Sequence, residues 1–329
     1  MKFAMMIDGC AQQSYFVKDK KAYKLKSDNL EPYSHYHSIG NECGLGIWGW
    51  PFIFDGYMVN LTEWDELPTL DLDVIMVAIE KQLDKYNVNM LRKKYPNAVI
   101  VSFVKEDYWI NCTIQQRVEF FKSCDIITFP WKIERDNDPN GILGMQNMIE
   151  RCGRDVHYMP QPHDINFLYD RYFESDRNIQ ILNYRPTQDN RASRDGDYVE
   201  YIGDKYNVEV IRHLVRNKDA HMDNTWEQFI SGITKSLYCF NTAKIRTGGS
   251  MAVQCAALGI LNFGGVQDSH EFLFPETATN DLNKLELIFK KIHGDAQLRE
   301  DIIQRAFDRA MENYSHESVK KRFIKAINA

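Results

Sequence analysis

No apolar run in this 329-residue chain approaches the ~20 residues a membrane-spanning helix needs. The opening Met1-Lys-Phe-Ala-Met-Met-Ile-Asp-Gly9 is far shorter than the apolar core of a signal peptide and reads as a first strand ending in a glycine turn. The seven cysteines show no C-x-x-C spacing, and their odd number argues against a full disulfide framework, so a reducing cytoplasm is the expected compartment. There is no excess of positive charge either. The formal net charge of −6 argues against strong nonspecific binding to nucleic acid, which depends on neutralising phosphates, while leaving room for a local basic surface. Low-complexity segments and short repeats are also missing. What remains, 44% hydrophobic and 26% charged residues, is an ordinary globular mixture long enough for two buried cores.

The apolar pattern alternates short strands with helices, as a doubly wound sheet does. In the first half, strands are expected at Phe3–Ile7, Val74–Ile79, Val99–Val104, Ile126–Phe129 and Val156–Met159, with helices at Glu80–Lys94 and Cys112–Cys124. A second set follows: strands at Ile179–Tyr184, Val208–Arg212, Leu237–Asn241, Ile260–Phe263 and Phe272–Phe274, and helices at Thr225–Thr234 and Ser250–Leu258. The C-terminus reads as helices at Asn283–His293, Ala296–Asn313 and Glu317–Asn328. Two α/β domains joined near Gln161–Phe173 follow from that repetition.

The stretch Arg246-Thr-Gly-Gly-Ser-Met-Ala-Val-Gln254-Cys-Ala-Ala-Leu-Gly259-Ile-Leu-Asn-Phe-Gly-Gly265 carries the most chemistry. It reads as a glycine turn, a short buried helix, a strand and a second glycine turn. Gly248 and Gly249 let backbone approach a ligand, and Ser250 is placed to cap the helix, so N–H groups and the positive end of the helix dipole converge on one point. An anion such as a phosphate is held there without a metal. Arg185, Arg191 and Arg194 follow a strand at the end where α/β sheets bind ligands, and guanidinium groups match phosphate geometry.

The run Gln254-Cys-Ala-Ala-Leu-Gly259 before an apolar strand resembles the donor-site helix of GT-B glycosyltransferases, where a Glu-Ala-x-Ala-x-Gly run stands. Tyr158-Met-Pro-Gln-Pro-His-Asp164 is similar to the segment by which those enzymes pass between domains, Ile179–Tyr184 to the first donor-domain strand, and Leu298–Tyr314 with Ser-His-Glu-Ser-Val to their closing helices. The resemblance implies two Rossmann-like doubly wound domains facing a cleft, with C-terminal helices crossing back. It divides the chain into an acceptor-side domain 1-162, a nucleotide-sugar-binding domain 163-312 and a returning helix 313-329. It implies a metal-independent enzyme with no cofactor beyond the nucleoside diphosphate sugar itself. The donor would be bound by Arg185, Arg191, Arg246, Gly248, Gly249, Ser250, Met251 and Gln254. Retaining members carry two glutamates where this chain has Arg246 and Gln254. Gln254 still offers a donor and an acceptor to ribose, while Arg246 suits phosphate instead of sugar, which leaves the stereochemical outcome open.

On the acceptor side, an inverting transfer needs a base for the acceptor hydroxyl, and Asp107 and His37 in strand-end loops are the candidates. Lys18, Lys20, Lys21, Lys24 and Lys26, interleaved with Tyr15, Phe16 and Tyr23, read either as a solvated hairpin or as a grip for a polyanionic acceptor. Lys21, Lys24, Tyr23 and Glu42 are the expected acceptor contacts, with a saccharide or a hydroxylated DNA base as acceptor. Other patterns fail on context. Gly44-Leu-Gly46-Ile-Trp-Gly49 matches a dinucleotide fingerprint but follows no strand, so a glycine loop near the cleft is expected; Asp71-Leu-Asp73 precedes its strand, where a metal-binding D-x-D would follow one. Asp136–Gly141 starts like a calcium loop but has Asn147 at the twelfth position, so it reads as a turn. His163 and Asp164 are expected to make hinge hydrogen bonds. A nucleotide-sugar epimerase of the same architecture and a catalytically inactive nucleotide- or carbohydrate-binding protein are the rival readings, and the sugar, nucleobase and oligomeric state stay open.

Overall fold

The computed structural model describes residues 1–8, 13–26, 29–33, 42–66, 69–78, 87–103, 113–130, 150–185, 196–214, 230, 233–242, 249–265 and 268–329. It divides into two compact units, Met1–His163 with His316–Ala329, and Asp164–Ser315.

The first unit is built on one eight-stranded sheet. Its strands are β1 (Phe3–Ile7), β2 (Tyr15–Lys18), β3 (Lys21–Lys24), β4 (Tyr57–Asn60), β5 (Val74–Ala78), β6 (Val99–Ser102), β7 (Ile126–Phe129) and β8 (Val156–Tyr158). They lie in the order β3-β2-β4-β1-β5-β6-β7-β8, parallel except for β2, which is antiparallel to both neighbours. All five residues of β1 are buried, because a central parallel strand is covered on both faces and needs apolar side chains on each. Ala4 and Met6 join Ile75, Val77, Leu91 and Phe121 in one core; Phe3, Met5 and Ile7 face Met76, Trp50 and Phe103 in the other. The helices are α1 (Trp50–Phe54), α2 (Val88–Lys94) and α3 (Ile114–Ser123). α3 starts with a reciprocal Thr113/Gln116 capping box, and α2 with Asn87 accepting from the Met90 amide at 3.1 Å.

The second unit opens with α4 (Ile165–Tyr172), in the region expected to be only a joint. Then come β9 (Asn178–Arg185), α5 (Gly196–Tyr206), β10 (Glu209–Leu214), β11 (Ser236–Phe240), α6 (Ser250–Leu258), β12 (Leu261–Phe263), α7 (Asp268–Leu273), α8 (Leu282–His293) and α9 (Ala296–Tyr314). The four strands are parallel in the order β10-β9-β11-β12. The last helix, α10 (His316–Ile327), groups with the first unit, where the Phe323 ring lies 5.7 Å from Phe3 and 5.3 Å from Trp50.

The strand expected at Phe272–Phe274 is not formed. Leu273 closes α7 instead, and the Phe274 amide bonds the His270 carbonyl at 2.8 Å. Aromatic residues favour strands only where a sheet edge is there to receive them; here Ser269 and Leu273, one turn apart, are both fully buried, as a helix face requires. The expected helix at Thr225–Thr234 lies largely outside the described residues.

Candidate functional site

In an open α/β sheet, ligands bind beyond the carboxyl ends of the strands, where the strand order reverses. In the second unit the chain passes from β9 to β10 on one side and then crosses back to β11 on the other side of β9, so the switch point lies between β9 and β11. Buried polar groups collect there. Asn183 on β9, with its amide 3.3 Å from Glu200 Oε1, pairs in register with Phe240, and β11 runs on into buried Asn241 and Thr242. The turn after β12 closes on the same ends: Gly264 has φ +79°, and a Cβ there would stand 3.3 Å from Thr242 and 3.4 Å from the Asn241 carbonyl.

The helix following β11 is α6. Apart from Ser250 and Gln254 its sequence SMAVQCAAL is apolar, and from Met251 to Leu258 each residue is buried, so it is held by packing all round rather than by an amphipathic face. Glycines set both ends: Gly249 (φ +73°) and Gly259 (φ +67°) are left-handed, a conformation that other residues enter at a cost. Ser250 does not cap the helix as expected. Gly249 occupies the N-cap, Ser250 is the first helical residue, and a glycine offers no side chain to cap this end. The first-turn amides of a helix have no intrahelical acceptor, and the dipole adds positive potential, so this end is suited to an anion.

Two further features sharpen the site. The Ser269 hydroxyl, fully buried on α7, donates to the Gly249 carbonyl at 2.6 Å and fixes the glycine turn from across the unit. Gln254 lies one turn beyond Ser250 and therefore on the same face, with its side chain leaning toward the N-terminus as helical side chains do. It is buried, and its Oε1 accepts no hydrogen bond among the described residues. An orphaned buried acceptor costs ~1–3 kcal/mol, which a hydroxyl-bearing ligand would relieve.

The far end of α6 is held by Arg177, which donates Nη1 to the Gly259 carbonyl and Nη2 to that of Leu258 and lies 5.2 Å from the Phe173 ring. Burial lowers its pKa to about 10, with Glu174 acting against that. The α7 clip is equally fixed: His270 Nε2 lies 3.1 Å from the Asn262 carbonyl, and the Thr277 hydroxyl donates to the same oxygen. Burial drives the His270 pKa to about 3, opposed by the Asn262 bond.

This sets an acid limit on stability. His270 takes up a proton in the unfolded chain near the ordinary histidine pKa of ~6.5 but resists it when folded. Its contribution is therefore complete above about pH 6.5 and is lost as pH falls toward 3. His163 in the first unit, lowered by burial to about 4, acts in the same sense. Urea unfolding of the full chain between pH 6 and 4 is expected to lose ~1.4 kcal/mol per pH unit for each histidine. The substitution His270→Gln is expected to remove one of these two contributions, and an unchanged slope in the variant contradicts the assignment.

The remaining sequence candidates divide. Gly249, Ser250, Met251 and Gln254 gather at the start of α6. Arg185 ends β9 with its backbone paired to Leu214, but its side chain, together with Arg191, Arg194, Arg246, Gly248, His37, Asp107 and the Asp136–Gly141 turn, lies outside the described residues. Lys24 pairs with Glu31 and Lys26 with Glu63, the latter at 3.1 Å. Glu42 is partly buried. His163 Nδ1 lies 3.1 Å from the Gln161 carbonyl, and Asp164 caps α4 by accepting from the Phe167 amide at 3.2 Å. Asp71 and Asp73 both bind Lys2, through its ammonium and its backbone amide respectively. In the Gly44-x-Gly46-x-x-Gly49 run, Gly46–Gly49 forms a 3-10 turn and the outer glycines serve packing: a Cβ on Gly44 would meet the Trp48 carbonyl at 2.3 Å, and one on Gly49 the Pro162 carbonyl at 2.8 Å. Sequence reading missed Ser269, whose bond to Gly249 spans 20 positions and has no local signal. It missed Asn183 too, whose signal, a polar residue between Leu182 and Tyr184 within a strand, stands in the sequence.

No protein-family profile and no curated protein sequence matches the chain. Solved structures do. An alpha-glucosyltransferase in complex with UDP-glucose and DNA containing an abasic site aligns over 100% of both chains, at 12% identity and a TM-score of 0.59. The trehalose-6-phosphate synthase OtsA aligns over 81% of this chain and 74% of its own, at 12% identity and a TM-score of 0.53. Anabaena Alr3699/HepE in complex with UDP aligns over 77% of this chain and 78% of its own, at 10% identity and a TM-score of 0.51. The chain has the GT-B fold. Among the described residues, no helix is long and apolar enough to cross a membrane.

Proposed function

We infer that this chain is a nucleotide-sugar-dependent glycosyltransferase, moving a sugar from a nucleoside diphosphate to an acceptor hydroxyl. The observation that carries the reading is the start of α6: a helix N-terminus with a left-handed glycine at its cap, at the carboxyl edge of a parallel sheet, with the Gln254 acceptor, unpartnered among the described residues, on the same face. The amides of Gly249, Ser250 and Met251 hold the diphosphate, and their fixed dipoles favour the charge that develops on it as the anomeric bond breaks. Gln254 takes a ribose or sugar hydroxyl. Arg185, Arg191 and Arg246 bring guanidinium groups to the phosphates, supplying positive charge that a divalent ion would otherwise provide.

In the transfer, the acceptor oxygen bonds to the anomeric carbon while the bond from that carbon to the diphosphate breaks. The acceptor proton goes to a base, Asp107 or His37, in an inverting reaction, or to the leaving diphosphate in a retaining one. UDP is the nucleotide favoured by the structural relatives solved with UDP or UDP-glucose, and a saccharide or a hydroxylated DNA base is the acceptor class.

The test is nucleotide release from UDP-, GDP-, ADP- and CDP-linked sugars, with and without saccharide and DNA acceptors, alongside nucleotide binding. Release from one donor that depends on an acceptor is expected. Epimer formation without an acceptor would replace this reading with the epimerase, and tight binding without turnover would replace it with a nucleotide-binding protein.

A further inference from the structure

The β2–β3 hairpin sorts the lysine run into two classes. β2 and β3 pair in register Tyr15↔Lys24, Phe16↔Tyr23, Val17↔Ala22 and Lys18↔Lys21. Side chains alternate across a sheet, so Tyr15, Val17, Ala22 and Lys24 share one face and Phe16, Lys18, Lys21 and Tyr23 the other. On the first face, Tyr15, Val17 and Ala22 are buried in the core and Lys24 is taken by Glu31. On the second, the Phe16 ring lies 5.6 Å from Tyr23 and 6.4 Å from Tyr57 on β4, a partly exposed aromatic row ending in the exposed Lys18–Lys21 pair. No ion pair of Lys18, Lys20 or Lys21 occurs among the described residues.

This face is arranged against its own stability in two places. Like charges directly opposite each other on paired strands repel, and Lys18 faces Lys21. The two-residue turn Asp19–Lys20 has φ +52° and +60°, a type I′ geometry in which Asp is suited to the first position and Gly to the second. Lys20 stands where glycine would be relaxed, and it adds a third exposed cation to the tip beside the acidic Asp19. Local strain of this kind persists where it serves a function. Cations to meet phosphates, set beside partly exposed aromatic rings on which bases stack, are the elements of a single-stranded nucleic-acid site. The protein as a whole carries a net charge of −6, so a nucleic acid would be held by a local patch of this sort and not by the general field.

We propose that the outer face of the β2–β3 hairpin binds an unpaired nucleic-acid segment, with Lys18, Lys20 and Lys21 on the phosphates and Phe16 and Tyr23 against the bases. As an acceptor surface it rests on the transferase reading, but the binding is measured without donor. The probe is a fluorescein-labelled single-stranded DNA oligonucleotide, followed by anisotropy across a salt series with the full chain. The substitutions Lys18→Gln, Lys20→Gln and Lys21→Gln together are expected to weaken binding by about tenfold or more and to lower the slope of log Kd against log salt by about 2. Phe16→Leu with Tyr23→Leu is expected to weaken binding with the salt slope unchanged, because stacking releases no counterions.

Lys20→Gly separates function from structure. Relaxing the turn is expected to raise the melting temperature while weakening DNA binding, an opposition that a purely structural lysine would not produce. Absence of binding by the wild-type chain, or equal binding by the triple variant, overturns the proposal. So does dextran sulfate displacing the oligonucleotide with no sensitivity to the aromatic substitutions, which would make the face a general polyanion patch. DNA binding without turnover on any nucleotide sugar would leave this surface standing while removing the transferase reading.

Discussion

Replacing Gly249 with valine is expected to abolish nucleotide binding while the second unit stays folded. Gly249 has φ +73° and ψ +53°, and a β-branched residue pays ~1–3 kcal/mol to remain there. Against a domain stability of ~5–15 kcal/mol, that cost is survivable. The chain can instead relieve it by turning residue 249 back to negative φ. That rotation reorients the Gly249 carbonyl, breaks its bond from Ser269 and swings the amides of the first helical turn off their common target. Either outcome removes what the diphosphate needs, because a Cβ also occupies space where backbone was to meet the ligand. Calorimetric titration with UDP, paired with circular-dichroism melting, separates loss of the site from loss of the fold. Wild-type affinity in Gly249→Val would remove the start of α6 as the donor site.

The second large effect falls on stability. Arg177→Ala removes two hydrogen bonds from a charged donor to the last carbonyls of α6, together with the contact over Phe173. Hydrogen bonds to charged groups contribute ~1.5–3 kcal/mol each, and the favourable position of a cation at a helix C-terminus is lost with them. Water recovers part of this where the site is open, so the expected net loss is about 3 kcal/mol and the second unit should melt about 10 °C lower. Arg177→Lys is expected to rescue little, since a single ammonium does not reproduce a planar fork reaching two carbonyls. Differential scanning calorimetry checks this, and a melting shift under 2 °C in Arg177→Ala would contradict it. Arg177 escaped the sequence reading because it stands just before β9, while the carbonyls it serves lie 81 and 82 positions away.

Some elements were legible because their signals are local. The apolar run Phe3–Ile7 is the central strand, and Ser250–Leu258 is a helix with the expected bounds, since a left-handed glycine stands at each end. The Phe272–Phe274 strand was misread because its aromatic residues are suited to either state, and the packing of Ser269 and Leu273 chose the helix. Ser250 was read as a cap from its chemistry alone, but Gly249 already occupied that position. The lysine run looked uniform in sequence, yet strand alternation puts Lys18 and Lys21 on one face and Lys24 on the other.

By itself, then, the sequence determined the α/β alternation and the glycine-bounded helix, because turn geometry and apolar periodicity depend on neighbours a few positions apart. Tertiary structure decided which groups are already engaged. Glu31 and Glu63 neutralise Lys24 and Lys26, Lys2 occupies the Asp71–Asp73 pair, Ser269 holds the Gly249 turn, and the Gln254 oxygen stays without a partner among the described residues. The physical reason is that hydrogen bonds and ion pairs act through space over a few ångströms, and only the folded chain brings residues tens of positions apart within that reach.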